Sequence, residues 1–178
     1  MPYAVILYFD DQYTKPIENV WASIHNSGLT ANMQEAGIRP HLTLAVYDQL
    51  TCQPCENRLA DLAAHTHTIS LRLSYVGVFT DPEPVIFVAP IPTQELLQFH
   101  QDVVTALDFD GNTPRSIYMP GTWIPHCTLA IGFDKEKVQE LLEISLSLEL
   151  PLDIGAVRIG VVEYQPLKDL FTYDLTAE

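Results

Sequence analysis

Two short stretches of the chain carry an imidazole and a hydroxyl in the same order. Residues 40–46 and 125–131 each read Pro-His-apolar-Thr-Leu-Ala-apolar. Successive side chains of an extended strand point to opposite faces. As strands, both stretches would therefore place the histidine beside the threonine on one face and anchor the apolar residues on the other.

These residue types suit acid–base chemistry on a phosphate. The unperturbed pKa of histidine lets one imidazole be neutral and another charged near neutral pH. His41 and His126 could deprotonate an attacking water and protonate a departing oxygen, each step being worth typically ~10²–10⁴-fold. Thr43 and Thr128 could donate hydrogen bonds to the non-bridging phosphate oxygens. The sequence leaves open which histidine is the base, and a coupled pair predicts a bell-shaped pH–rate curve.

Composition limits the partners of such a site. The 178 residues are enough to bury the core of one domain or of two fused small lobes. With nine Lys and Arg and a net charge of −14, the chain lacks the basic surface that binds duplex DNA or long strands. A small phosphorylated ligand stays compatible with this charge, because a pocket can be locally positive on an acidic protein.

The expected location is the cytoplasm, without a membrane partner. The apolar N-terminal residues lack the basic flank and the length of a signal peptide and read as a first strand. No apolar run approaches the ~20 residues of a membrane-spanning helix. Three cysteines are too few for a disulfide framework. We expect a monomer that needs no cofactor.

The order of predicted elements repeats along the chain. Strand, helix, His strand, helix and strand are predicted in that order in each half, and a last strand follows. Their approximate ranges are 3–9, 15–27, 38–47, 54–65 and 69–79, then 85–91, 94–107, 125–131, 135–144 and 150–164, and finally 170–175. The two histidines lie 126 − 41 = 85 residues apart, which indicates a duplicated βαβαβ unit.

This repeat predicts an α+β fold. We expect one bilobal domain over residues 1–178, with repeats at about 1–80 and 84–178 and a turn at residues 81–84 between them. Mainly antiparallel sheets would face a central cleft, with the helices outside. Each half would then supply one His strand as a wall of the cleft.

Five further residues are candidates for the pocket. Tyr8 lies on the first strand, and Arg39 lies two residues before His41, where a phosphate clamp and a solvated strand end are equally compatible with its position. Arg115, Tyr118 and Trp123 precede the second His strand and could line the cleft mouth and stack on a base, although Trp123 could equally belong to the core.

The sequence predicts no catalytic or metal-binding role for the other cysteines and histidines considered. Cys52 and Cys55 form a lone C-x-x-C without a second ligand pair or a thioredoxin-like setting. His25 and His100 fall on predicted helices and are expected at the surface. We therefore predict no metal site.

The paired motifs resemble those of the 2H phosphoesterase superfamily, which includes 2′-5′ RNA ligase-like and cyclic nucleotide phosphodiesterase enzymes. Residues 41–44 and 126–129 both match its H-x-T-φ motif, one in each half. The resemblance implies a bilobal α+β fold with a cleft between the lobes. It also implies metal-independent action on 2′,3′-cyclic phosphates or related phosphodiesters, with a 2′-phosphate as product.

The leading hypothesis is therefore a phosphoesterase acting on a small nucleotide or an RNA end, with His41 and His126 catalytic and Thr43 and Thr128 on the phosphate. One alternative is 2′-5′ RNA ligation by the reverse chemistry. Another is a nucleotide- or RNA-binding module without turnover. A third is a phosphodiester substrate that is not a nucleotide.

Overall fold

The computed structural model describes residues 2–30, 32–109, 111–164 and 167–177, which form one seven-stranded sheet with helices packed on it. The strands are β1 (Tyr3–Phe9), β2 (His41–Tyr47), β3 (Ile69–Phe79), β4 (Val85–Pro90), β5 (Cys127–Ile131), β6 (Leu152–Glu163) and β7 (Lys168–Asp174). The α-helices among the described residues are α1 (Lys15–Ser27), α2 (Asn32–Ala36), α3 (Cys52–Ala64), α4 (Gln94–Ala106) and α5 (Val138–Ser145).

The predicted α+β class is confirmed, and the pairs between these seven strands are all antiparallel. The structure differs in detail before the two His strands. α2 lies between the predicted helix at 15–27 and the predicted strand at 38–47, where the sequence predicts no helix or strand. β2 begins at His41 and β5 at Cys127, later than predicted, since Pro40 and Pro125 have no N–H to donate to a ladder.

The strand order shows how the elements of the two predicted repeats are arranged in space. The order is β2-β1-β6-β3-β4-β5, with β7 on β6. From either end it runs His strand, opening strand, and then the closing strand of the other half. The turn at residues 81–84 joins β3 to β4 as neighbouring strands. Each half therefore completes its part of the sheet with a strand from the other half.

The helices also pack against elements of the opposite half. α1 contacts β5 and α5 of the second half, while α4 contacts β2 and α3 of the first. One contiguous hydrophobic core joins helices and strands of both halves. The two halves are thus packed as a single unit.

The opposite sheet face carries the cleft. Ala4, Ile6 and Tyr8 of β1 form a second, smaller cluster with Val46 and Val162, separate from the main core. β2 and β5 stand at the two ends of the strand order and lie close to each other without pairing, so the open sheet is curved. In the described parts of the chain, no helix is both long enough and apolar enough to span a bilayer.

Candidate active site

Each His strand contains a β-bulge directly after its threonine. The pairing with β1 passes from Thr43 to Ala45 and skips Leu44. The pairing of β5 with β4 passes from Thr128 to Ala130 in the same way. A bulge leaves one residue unpaired in the ladder and re-aims the neighbouring side chains. Both strands thus have the same irregularity, at the last residue of the motif.

A tryptophan from the other half holds each bulge. Trp21 on α1 donates its indole N–H to the carbonyl of Thr128 at 3.1 Å. Trp123, just before β5, donates to the carbonyl of Thr43 at 2.9 Å. Trp123 is only 7% exposed. Of the two positions that the sequence left open for Trp123, the core and the cleft mouth, the structure shows the core.

His100 is buried, contrary to the prediction that it lies at the surface. Its ring stacks on Trp123 with centroids 4.0 Å apart and planes 5° apart. Its Nε2 lies 3.0 Å from the carbonyls of both Leu44 and Tyr118. Burial lowers the pKa of His100, while the two carbonyls act in the opposite direction. His100 and Trp123 together satisfy the two successive carbonyls at the β2 bulge.

The two motif histidines have the same tautomer. His41 Nδ1 lies 2.7 Å from the Arg39 carbonyl, and His126 Nδ1 lies 2.7 Å from the Ile124 carbonyl. A carbonyl oxygen only accepts hydrogen bonds, so Nδ1 donates in both rings. Each neutral imidazole consequently keeps the lone pair on Nε2, the atom left for substrate.

The two imidazoles are close enough to influence one another. Burial lowers the pKa of His41 to about 4; its hydrogen bond to the Arg39 carbonyl opposes this, the His126 charge adds to it and Asp169 opposes it. Burial also lowers the pKa of His126. Both rings are therefore neutral near pH 7 in the free protein. An anionic ligand bound beside them would favour the protonated form that an acid catalyst needs.

Both threonine side chains are partly exposed on the histidine face of their strands. Burial raises the pKa of Tyr164, and a hydrogen bond from the Thr43 hydroxyl and the charge of Arg115 act in the opposite direction. The Thr43 hydroxyl thus already lies against a polar partner of the cleft.

The surroundings of the two histidines differ. The His126 ring packs against Phe79 and Phe87, with centroids 4.9 Å and 5.3 Å away. The His41 ring has Tyr8 at 6.4 Å, and the Tyr8 hydroxyl donates to Asp169 Oδ1 at 2.8 Å. One wall of the cleft is therefore apolar and the other polar.

The remaining predicted pocket residues lie on the polar side. The Arg39 guanidinium lies 4.1 Å from the centre of the Tyr8 ring, so these two residues do flank His41. Arg115 is half exposed and its Nη2 lies 2.7 Å from Asp48 Oδ1. Tyr118 packs against the cleft cluster, and burial raises its pKa to about 12. Arg115 and Tyr118 thus lie at the border of the cleft.

Sequence reasoning missed Asp169. Its carboxylate reaches the His41 wall because β7 pairs with β6, which itself pairs with β1. No local pattern around Asp169 predicts these long-range pairings. Among the described residues, no group of three or more His, Cys, Asp or Glu side chains is arranged to hold a metal ion.

Known proteins share this architecture. A Thermus thermophilus protein, TT0787, matches with a TM-score of 0.66 at 14% identity, covering 100% of both chains. Escherichia coli LigT complexed with 3′-AMP matches with a TM-score of 0.64 at 15% identity, covering 99% of both. Kluyveromyces marxianus Usb1 matches with a TM-score of 0.53 at 9% identity, covering 95% of this chain and 97% of the other. At these identities the likeness shows the fold alone.

Sequence comparison assigns the family. Among curated proteins, none matches the chain significantly. The family described as the 2′-5′ RNA ligase superfamily matches residues 15–166. This span covers most of the chain and both H-x-T motifs, and it confirms the predicted family. The chain belongs to the 2′-5′ RNA ligase superfamily of 2H phosphoesterases.

Proposed function

We propose that the protein is a metal-independent phosphoesterase that opens a 2′,3′-cyclic phosphate, or a related phosphodiester, on a small nucleotide or an RNA end. The observation that carries this proposal is the matched pair of imidazoles. His41 and His126 both donate through Nδ1 to the carbonyl two residues earlier and both keep Nε2 for substrate. Two imidazoles with the same tautomer, on strands that lie close to each other, suit one base and one acid.

The proposed step conserves atoms and protons. One Nε2 removes a proton from water while the water oxygen bonds to phosphorus. The bond from phosphorus to O3′ breaks, and the other Nε2–H protonates O3′. The product carries a 3′-hydroxyl and a 2′-phosphate. The hydroxyls of Thr43 and Thr128 donate to the non-bridging oxygens, where negative charge develops.

Two observations favour a small substrate. Escherichia coli LigT, which shares the fold, has been solved with 3′-AMP, with NADP+ and with ATP. The net charge of −14 would repel an extended nucleic acid. Both cleft walls come from one chain, so we also propose that the protein acts as a monomer.

The family description supports 2′-5′ RNA ligation as a second candidate. Ligation would use the same two imidazoles in the same sense: a 5′-hydroxyl attacks phosphorus in place of water, the bond from phosphorus to O3′ breaks, and a 2′-5′ phosphodiester forms. The acidic surface disfavours this candidate because both RNA partners would be polyanions.

The test is turnover of the four nucleoside 2′,3′-cyclic phosphates in the presence of EDTA, with 2′- and 3′-monophosphate products separated. We expect 2′-phosphate from the wild type and a loss of at least ~10²-fold in His41→Ala and His126→Ala. His25→Ala, at an exposed helix position, is the matched control and should remain active.

Loss of turnover in EDTA with recovery on adding a divalent metal would overturn the metal-independent mechanism. Full activity of either motif variant would overturn its catalytic role. Joining of a 2′,3′-cyclic phosphate end to a 5′-hydroxyl end without hydrolysis would favour ligation.

A further inference from the structure

A cavity of about 160 Å³ lies on the polar side of the cleft, and its lining includes Tyr8 and Arg39, which are neighbours of His41, but not His41 itself. It is lined by Tyr8, Arg39, Leu167 and Asp169 and by residues 36–38. The proposed phosphate chemistry uses none of these side chains. The cavity is nevertheless tied to His41, because the Arg39 carbonyl accepts from its Nδ1 and the Asp169 charge acts on its ring.

Asp169 is unexpected next to a phosphate site. A carboxylate repels a phosphate, so it does not contribute to holding that group. A carboxylate offers about four acceptor positions. In the described part of the chain, the Tyr8 hydroxyl is its hydrogen-bond donor, at 2.8 Å. Since Asp169 is exposed, its remaining acceptor positions are open to a ligand that carries N–H or O–H groups.

Arg39 supplies donors at the same cavity. Its guanidinium lies on the face of the Tyr8 ring, and its Nη1 is 3.8 Å from Asp11 Oδ2. Arg158 holds the same Asp11 oxygen more closely, at 2.7 Å. A guanidinium carries five N–H donors, so Arg39 keeps donors for a ligand. The cavity therefore pairs an acceptor group with a donor group around an aromatic ring.

We propose that this cavity binds the nucleobase of the substrate and prefers guanine, an inference that rests on the proposed function. One edge of guanine carries two adjacent N–H donors next to the O6 acceptor. The Asp169 carboxylate accepts from the two N–H groups, and the Arg39 guanidinium donates to O6 or N7. Arginine with O6 and N7 of guanine is a frequent specific pairing, and adenine presents an amino group where guanine has O6.

The test compares guanosine and adenosine 2′-monophosphate binding by calorimetry, with kcat/KM for the two 2′,3′-cyclic phosphates measured in parallel. A good bidentate pair discriminates bases by roughly 5- to 150-fold, so we expect at least a ~10-fold preference for guanine. Asp169→Asn should reduce this to within ~3-fold, because an amide offers one acceptor and adds a donor where guanine has donors. Asp174→Asn, the same change elsewhere on β7, should leave the preference intact.

Equal binding of both nucleotides by the wild type would overturn the inference, as would a guanine preference that survives in Asp169→Asn. The two proposals fail separately. Turnover of cyclic phosphates without base preference would support the reaction and overturn the pocket. Guanine-selective binding without turnover would support the pocket and overturn the reaction.

Discussion

His41 is the residue whose environment most constrains its chemistry. It is 9% exposed, and burial lowers its pKa to about 4 from the ordinary 6.5. Below pH 6.5 an unfolded chain protonates this imidazole, while the folded chain leaves it neutral until about pH 4. Acidification therefore favours unfolding through His41. The same neutral state provides the Nε2 lone pair that a base needs.

We predict that His41 lowers the free energy of unfolding as the pH falls from about 6.5 to about 4. The shift corresponds to on the order of 3 kcal/mol in the free energy of unfolding. Urea unfolding across this window should show a smaller loss in His41→Gln than in the wild type. The exposed-site control His25→Gln should follow the wild type, and parallel curves for wild type and His41→Gln would contradict the burial argument.

At the residue scale, the sequence predicts the part of the site that depends on local alternation. His41 and Thr43 share a face, and Leu42 packs in the core behind them. Trp123 and His100 are different, because each is buried by contact with the other across 23 positions of the chain. Asp169 depends on strand pairing still farther apart. Contacts of this kind leave no periodic pattern to read.

At the element scale, two glycines allow the sheet to carry large rings next to the histidines. Gly77 on β3 pairs with Phe87, and Gly160 on β6 pairs with Ile6 in the equivalent place. A Cβ on Gly77 would lie 2.4 Å from Cζ of Phe87. A Cβ on Gly160 would lie 2.8 Å from Thr172 Oγ1, 2.9 Å from the Phe171 carbonyl and 3.3 Å from Cε2 of the Tyr8 ring. Each glycine thus lets neighbouring groups pack closely against its strand. One of the two glycines lies near His41 and the other near His126.

Gly160→Ala should destabilise the fold by about 1–3 kcal/mol, since β7 would have to move away from β6. It should also weaken nucleotide binding, because β7 carries Asp169. Gly155→Ala on the same strand is the matched control, with its Cβ at an ordinary 3.6 Å from Val157 Cγ1. Chemical denaturation measures both variants, and equal stability of the two would refute the close-packing explanation.

The indole hydrogen bonds of Trp21 and Trp123 join elements of opposite halves, so we expect both to contribute to stability. Trp123→Phe removes the donor to the Thr43 carbonyl, and Trp21→Phe removes the donor to the Thr128 carbonyl. A buried carbonyl left without a donor costs about 1–3 kcal/mol. We expect each variant to lose stability on this scale and to lower kcat. Tyr75→Phe, at an exposed strand position, is the control. A loss below ~0.5 kcal/mol in the free energy of unfolding of both tryptophan variants would contradict a stabilising role for these hydrogen bonds.

The repeated element order was predictable because each helix and strand has its own periodicity. The pairing of each closing strand with strands of the opposite half was not predictable. A strand has the same residue pattern whether it pairs within its own half or with the other half. The sequence pattern therefore does not predict that β6 pairs with β1 or that β3 pairs with β4.

At the scale of the whole molecule, we expect the net charge of −14 to discriminate among the substrates proposed for the site. Arg39, Arg115 and Arg158 are each paired with an aspartate, so they add little attraction for a long polyanion. We therefore expect the proposed site to favour a single nucleotide over an RNA chain.

Salt should separate these two substrate classes. We expect kcat/KM for a cyclic-phosphate-ended RNA to rise between ~0.05 M and ~0.2 M salt, because screening weakens like-charge repulsion, and kcat/KM for a cyclic mononucleotide to change less. Steady-state rates at four salt concentrations measure this. A steep fall for the RNA, as in proteins that bind through counterion release, would contradict the charge argument.

The central claim is that His41 and His126 act as one acid–base unit, and a double-mutant cycle tests it most directly. kcat/KM for a 2′,3′-cyclic phosphate is measured in the wild type, His41→Ala, His126→Ala and the double variant. We predict that each single change costs ~10²–10⁴-fold and that the double variant is no worse than the poorer single one, because residues acting as a unit are not additive. Costs that multiply in the double variant, or a single variant near wild-type activity, would contradict the claim.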